Sequence, residues 1–133
     1  MLIIHSSVVL VTRRHDKRVL MLRRRPDDRS YPHKWCLPGG RCDEGETYAE
    51  TARREVLEET DMDVPALHHL LDGESVLERR ERTYIIHAFQ AEPPCAYVRL
   101  SDEHDDFVWV TIDEALQLDL AGPFTRKVLE AAK

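Results

Sequence analysis

Glu55, Glu58 and Glu59 place three carboxylates at i, i+3 and i+4. On a helix these positions share one stripe about 100° wide. Like charges at that spacing repel by roughly 0.2–0.5 kcal/mol per pair on an isolated helix. A chain has little structural reason to build such a stripe, so a cation is expected against it. Hard dications choose oxygen ligands, and Mg²⁺ keeps several waters while taking a few carboxylates and substrate phosphates. Just upstream stands Gly39-Gly40, and three of the five glycines fall between 39 and 45. The stretch Pro38 to Met62 therefore reads as a metal site with a substrate-facing glycine loop beside it. For the three glutamates alone, a solvated acidic helix face is the bland alternative.

The carboxylates need a helix to carry them. Thr47-x-x-Glu50 fits a capping box with Thr47 as N-cap. Ala49, Ala52 and Val56 form a narrow face that can seat the helix on a sheet, and Pro65 sets its end near Thr60-Asp61. Before the helix, Leu2 to Thr12 is almost continuously apolar, which predicts a strand covered on both faces. Arg18 to Arg24 predicts a second strand, hairpin-paired with the first. Pro26 to Ser30 is turn chemistry, and Tyr31 to Gly45 predicts an irregular loop. After the helix, Ala66 to Leu77 and Thr83 to Ala91 predict two long strands around an exposed turn at Glu78 to Arg82. Phe107 to Thr111 predicts a short buried strand. A short helix through Leu116, capped by Thr111 or Asp113, follows it. Gly122-Pro123 opens an amphipathic helix with Phe124, Val128 and Leu129 inward. The fold class is α/β (α+β): a mixed sheet between helices in an α/β/α sandwich, formed by one domain over 1–133.

Composition narrows the partners. Net charge of −6 and a pI near 5.6 argue against a protein that coats a nucleic-acid polymer, which needs a basic footprint. A small phosphorylated ligand held by local arginines stays compatible. Three cysteines, Cys36, Cys42 and Cys95, form no paired framework, and His33, Cys36 and Cys42 lack structural-zinc spacing. The N-terminus lacks signal-peptide features, and no uncharged run reaches membrane-spanning length. A cytoplasmic protein with no membrane partner is expected.

The stretch resembles the signature box of the Nudix hydrolases: Gly, five residues, Glu, seven residues, then Arg-Glu-apolar-x-Glu-Glu-x-Gly-apolar. Gly40, Glu46, Arg54, Glu55, Val56, Glu58, Glu59 and Met62 match it. Asp61 stands where the family has Gly, at a helix terminus whose left-handed conformation Asp tolerates better than most residues. With Gly40, Glu46 and Arg54 in register, the solvated-face reading loses its weight. The order of strands also fits, so the resemblance covers nearly the whole chain.

The resemblance implies a Nudix-type sandwich that hydrolyses a nucleoside diphosphate linked to another group, with Mg²⁺ or Mn²⁺ assisting. It implies metal ligation by Glu55 and Glu59, with Glu58 as a further or outer ligand and the Gly39 carbonyl completing the set. Arg54 would orient a box glutamate, Glu46 would brace the loop, and Gly39 and Gly40 would face substrate. Glu103, in the acidic run before the last strand, is the candidate general base or additional ligand, with Glu58 and Glu59 as competitors. Arg23 stands where related enzymes place a phosphate-contacting arginine, although a strand-end role is equally compatible. Trp35 and Tyr31 could stack on a base or simply pack. His68, His69, His87 and His104 read as ordinary strand or surface histidines, and Arg79, Arg80 and Arg82 as solvated. Subfamily cues for ADP-ribose or dinucleoside polyphosphates are missing downstream, which leaves a nucleoside or deoxynucleoside triphosphate as the expected substrate. Hydrolysis of those two other classes, or nucleotide sensing without turnover, are the alternatives. A small-molecule nucleotide is the expected partner, and a homodimer stays open.

Overall fold

The computed structural model describes residues 2–77 and 81–133. In chain order its elements are β1 (Leu2–Val11), β2 (Val19–Arg24), β3 (Trp35–Cys36), β4 (Gly39–Arg41), α1 (Tyr48–Thr60), β5 (His68–Leu77), β6 (Arg82–Ala91), β7 (His104–Val110), α2 (Ile112–Ala115) and α3 (Pro123–Ala131). One sheet runs β4-β1-β6-β5, with β1 parallel to β6 and antiparallel to β4. A second, antiparallel sheet runs β3-β2-β7.

The expected β1–β2 hairpin does not form. A single bridge joins Thr12 to Val19, and the Arg13 N–H donates to the Arg18 carbonyl at 2.8 Å. The strands then part into different sheets. Each has partners on both edges: β1 takes β6 and β4, while β2 takes β3 and β7. The single mixed sheet expected between helices is correspondingly two sheets.

Side-chain alternation explains the unbroken apolar runs. Val9 and Val11 of β1, with Leu20 and Leu22 of β2, pack with Ala52 and Val56 of α1. Leu10, Val19 and Met21 point the other way, onto Phe124, Val128 and Leu129 of α3. Helices thus cover both faces, and each fully buried aliphatic side chain contributes about 1.5–3 kcal/mol.

Helix α1 starts with a complete capping box: Thr47 Oγ1 accepts from the Glu50 N–H, and Glu50 accepts from the Thr47 N–H. It ends at Asp61, whose φ of 63° puts it in the left-handed region. The seating face differs from expectation. Ala49 is exposed, and burial begins two residues on at Thr51 and Ala52, recurring at Val56, Glu59 and Thr60. Thr51 can be buried because its hydroxyl donates to Glu46 at 2.7 Å. Thr111 caps α2 with a second capping box, and Gly122-Pro123 opens α3. Glu78, Arg79 and Arg80 of the expected turn lie outside the described residues, while Arg82 opens β6. The three cysteines are free thiols. No helix among the described residues is long and apolar enough to cross a membrane.

Candidate metal centre

Glu46 and Arg54 join the glycine loop to α1. The Glu46 carboxylate accepts from the Asp43 N–H at 2.9 Å, the Thr51 hydroxyl at 2.7 Å, and Arg54 Nε and Nη2 at 2.7 and 3.0 Å. Arg54 Nη1 reaches Glu55 at 2.9 Å and Glu58 at 3.1 Å, and Nη2 also donates to the Arg41 carbonyl. These are charge-assisted bonds, the stronger kind. The Arg54 guanidinium, with the Asp43 N–H and Thr51 hydroxyl, holds the Glu46 carboxyl down to about 2. One arginine therefore neutralises the loop side of the acidic stripe.

The inner side of the stripe meets β4. Glu55 is largely buried, and a Cβ on Gly40 would sit 2.5 Å from its carboxylate. Burial raises the Glu55 pKa, with Arg54 opposing. Glu59 is only 3% exposed; its Oε1 accepts the Gly39 N–H at 2.7 Å. Burial pushes the Glu59 carboxyl up to about 9, opposed by the Gly39 N–H and reinforced by the charges of Glu103 and Glu55. No Lys or Arg among the described residues pairs with it; the nearest basic group is His104 Nδ1, 3.8 Å from Oε2. Glu58 stands half exposed at the rim.

Glu103, just before β7, and His104, its first residue, supply the facing groups. Oxygen atoms of Glu59 and Glu103 and a ring nitrogen of His104 all lie within 4.8 Å of one another. Glu103 is exposed, whereas His104 is buried. Burial pulls the His104 imidazole down to about 4, so it is neutral at pH 7. Converging carboxylates, one of them buried without a cationic partner, fit a divalent cation. Replacing Gly40 by Ala is expected to displace the Glu55 carboxylate and weaken Mn²⁺ binding by about 10–100-fold, read by metal titration. Unchanged Mn²⁺ affinity in Gly40→Ala would show that Glu55 does not depend on this contact to hold the ion.

Two cavities meet at this centre. One of about 440 Å³ is lined by Gly39, Gly40, Arg41, Tyr84, Arg24 and Glu103, with Tyr31 also on its wall. The other, of about 620 Å³, is lined by Arg24, Arg25, Arg29, Asp28, Asp102 and Glu103. Arg24 and Glu103 line both. Arg23 lines neither; it pairs with Asp105 at 2.8 Å, and its guanidinium lies 5.7 Å from the Trp35 ring centre. Alternation along β2, with a register shift against β7 between Arg23 and Arg24, turns Arg24 to the cleft instead. Arg24 Nη2 donates to Asp28 at 2.8 Å, while its Nε is buried without a partner. Trp35 packs with the core on the α3 side. A larger cavity of about 860 Å³, between residues 12–17 and Gln90 to Glu92, contains none of the box residues.

His104, at the carboxylate cluster, and Arg24, in the cleft, are thus the site residues that sequence reasoning passed over. His104 follows the candidate Glu103 directly, so inward alternation at the start of β7 was its available signal. Arg24 had only the two-face ambiguity of a strand end.

An α/β/α sandwich that aims a carboxylate-bearing helix at a glycine strand beneath an arginine-lined cleft defines the class of domain. Comparison supplies the family. The NUDIX domain matches residues 3–132, and the chain belongs to that family. An octanoyltransferase from Myxococcus xanthus is 36% identical over 119 residues, 84% of this chain and 31% of that protein. An asymmetrical bis(5'-nucleosyl)-tetraphosphatase from Rattus norvegicus is 35% identical over 91 residues, 65% of this chain and 61% of that protein. The chain thus spans about a third and about three fifths of these relatives. The nucleoside triphosphatase NudI of Escherichia coli (strain SE11) is 30% identical over 118 residues, covering 77% of this chain and 79% of that protein. Among solved structures, a MutT protein from Methanosarcina mazei Go1 superposes with a TM-score of 0.84 at 29% identity, over 97% of this chain and 91% of that one.

Proposed function

We propose that residues 1–133 act as one domain that hydrolyses a diphosphate bond in a nucleoside diphosphate derivative, with Mg²⁺ as cofactor. A nucleoside or deoxynucleoside triphosphate is the substrate, giving nucleoside monophosphate and pyrophosphate. The observation that carries this reading is Glu59, a buried carboxylate bonded to the Gly39 N–H and without an Arg or Lys partner among the described residues, behind a cavity that Gly39 and Glu103 line. Glu55, Glu59 and the Gly39 carbonyl would hold the ion, with Glu58 as a further ligand at the rim. When bound, such an ion neutralises developing phosphate charge and acidifies a water. Glu103, exposed beside Glu59, would take the proton from attacking water, with Glu58 and Glu59 as the competing bases. Arg54 positions Glu55 and Glu58 through its bonds to both. Gly39 and Gly40 line the cavity of about 440 Å³ and would face substrate there. The phosphate contact expected of Arg23 passes to Arg24, whose guanidinium borders both cavities.

The arginines favour a polyphosphate. Arg24, Arg25 and Arg29 line the cavity next to Glu103, interleaved with Asp27, Asp28 and Asp102, and these guanidiniums would donate to a nucleotide's terminal phosphates. The similarity to NudI supports the same choice. The rat relative favours a second reading, a dinucleoside polyphosphate. A panel of nucleoside triphosphates, dinucleoside polyphosphates and ADP-ribose, each with Mg²⁺ and with Mn²⁺, separates them. Pyrophosphate release from a triphosphate is the expected result. Binding without any phosphate product would instead identify a nucleotide-sensing module.

A further inference from the structure

His104 has no role in the proposed hydrolysis, yet its placement is specific. Its side chain is 3% exposed, and its Nδ1 is buried without a hydrogen-bond partner. The other ring nitrogen, Nε2, lies 3.5 Å from Cys36 Sγ, which is also buried. The contact admits the tautomer with the proton on Nε2, and in that tautomer the Nδ1 lone pair is free and faces Glu59 Oε2, 3.8 Å away. The gap exceeds a hydrogen bond. A buried lone pair facing two carboxylate oxygens across such a gap is the arrangement of a ligand set waiting for an ion.

Imidazole changes which ion that is. Mg²⁺ takes oxygen ligands, whereas imidazole nitrogen suits later first-row dications. We propose that Glu59, Glu103 and His104 form a mixed nitrogen–oxygen cation position that selects a transition-metal dication over Mg²⁺, sharing Glu59 with the all-oxygen position of Glu55. The three donor atoms, within 4.8 Å of one another, need only a small contraction to surround one ion. Cys36 is the positioning residue, because its Sγ contacts Nε2 and holds the ring with Nδ1 toward Glu59. The Glu59–Glu103–His104 triad comes from α1 and the start of β7, so it exists only once the two sheets have closed on the helix.

The test uses the full chain. Pulsed EPR of the protein loaded with Mn²⁺, without nucleotide, is expected to show imidazole nitrogen coupling. That coupling should vanish in His104→Asn. Calorimetric titration with Co²⁺ in excess Mg²⁺ should show tight binding to the wild type, weakened at least about tenfold in His104→Asn. Absence of nitrogen coupling in the wild type, its survival in His104→Asn, or equal Co²⁺ affinity in both proteins overturns the proposal. If His104→Asn fails to fold, the wild-type spectrum and the Co²⁺ titration against Mg²⁺ decide it. The nucleotide panel reports the hydrolase reading separately: turnover without nitrogen coupling sinks only this inference, and coupling without turnover sinks only the hydrolase.

Discussion

Replacing Glu59 by Gln is expected to lower turnover by at least about 10²–10³-fold, the scale for losing a pre-organised electrostatic group. The same change should make the metal-free protein more stable. Glu59 is buried, and its carboxyl is pushed up to about 9 by burial. Its folded pKa lies above the ordinary 4.5. The folded state is therefore favoured with this carboxyl protonated, an advantage fully present below about pH 4.5 and lost as pH rises toward 9. At neutral pH the metal-free fold must take up a proton at a cost on the order of 3 kcal/mol. Glutamine removes that cost while keeping the acceptor for the Gly39 N–H, and its amide can donate to the free His104 Nδ1. The thermal midpoint of chelator-treated Glu59→Gln should exceed wild type by roughly 5 °C or more at pH 7–8. The difference should shrink toward pH 4.5. Saturating Mg²⁺ should stabilise the wild type and not the variant. Wild-type turnover in Glu59→Gln, or a metal-free variant no more stable than wild type, would remove Glu59 from the centre of the site.

Replacing Arg54 by Ala is the second large effect, and it acts in the opposite sense on stability. Arg54 is the common partner of Glu46, Glu55 and Glu58. Its loss leaves three carboxylates clustered without their counter-ion, at a cost on the order of 2 kcal/mol. Activity should fall about 10–100-fold through misplaced ligands. Raising the metal concentration should restore part of that activity, whereas raising nucleotide should not. Restoration by nucleotide alone would mean that Arg54 touches substrate. The pH dependence gives an independent check. Glu46 is held down to about 2, first by Arg54. A depressed carboxyl stabilises the fold above its unfolded pKa, near 4.5, and that stability is lost as pH falls toward 2. The stability gap between wild type and Arg54→Ala should therefore close across that interval, as followed by circular dichroism in acid.

Local chemistry was legible in the chain itself. A capping box, a terminal Asp in the left-handed region and a Gly-Pro helix start depend on neighbours within a few residues, so Thr47, Asp61 and Gly122 behave as their sequence context requires. The two-faced core was legible in the unbroken apolar strands. The β1–β2 pairing was not, because apolar runs covered on both faces carry no mark of which edge they will meet. Ala49 was misplaced because helical periodicity names a face but not the turn at which the sheet begins to cover it.

At the site, residue types and spacing determined that Glu55, Glu58 and Glu59 share a stripe and that Gly39 and Gly40 stand before it. Helical geometry allows no other outcome once α1 forms. Tertiary structure alone decided the rest: which acid is buried, that Arg24 rather than Arg23 borders the cleft, and that His104 faces Glu59. Those facts arise where β4, α1 and β7 converge from distant parts of the chain. Burial and the angle between elements are set there by packing, which no short stretch of sequence encodes.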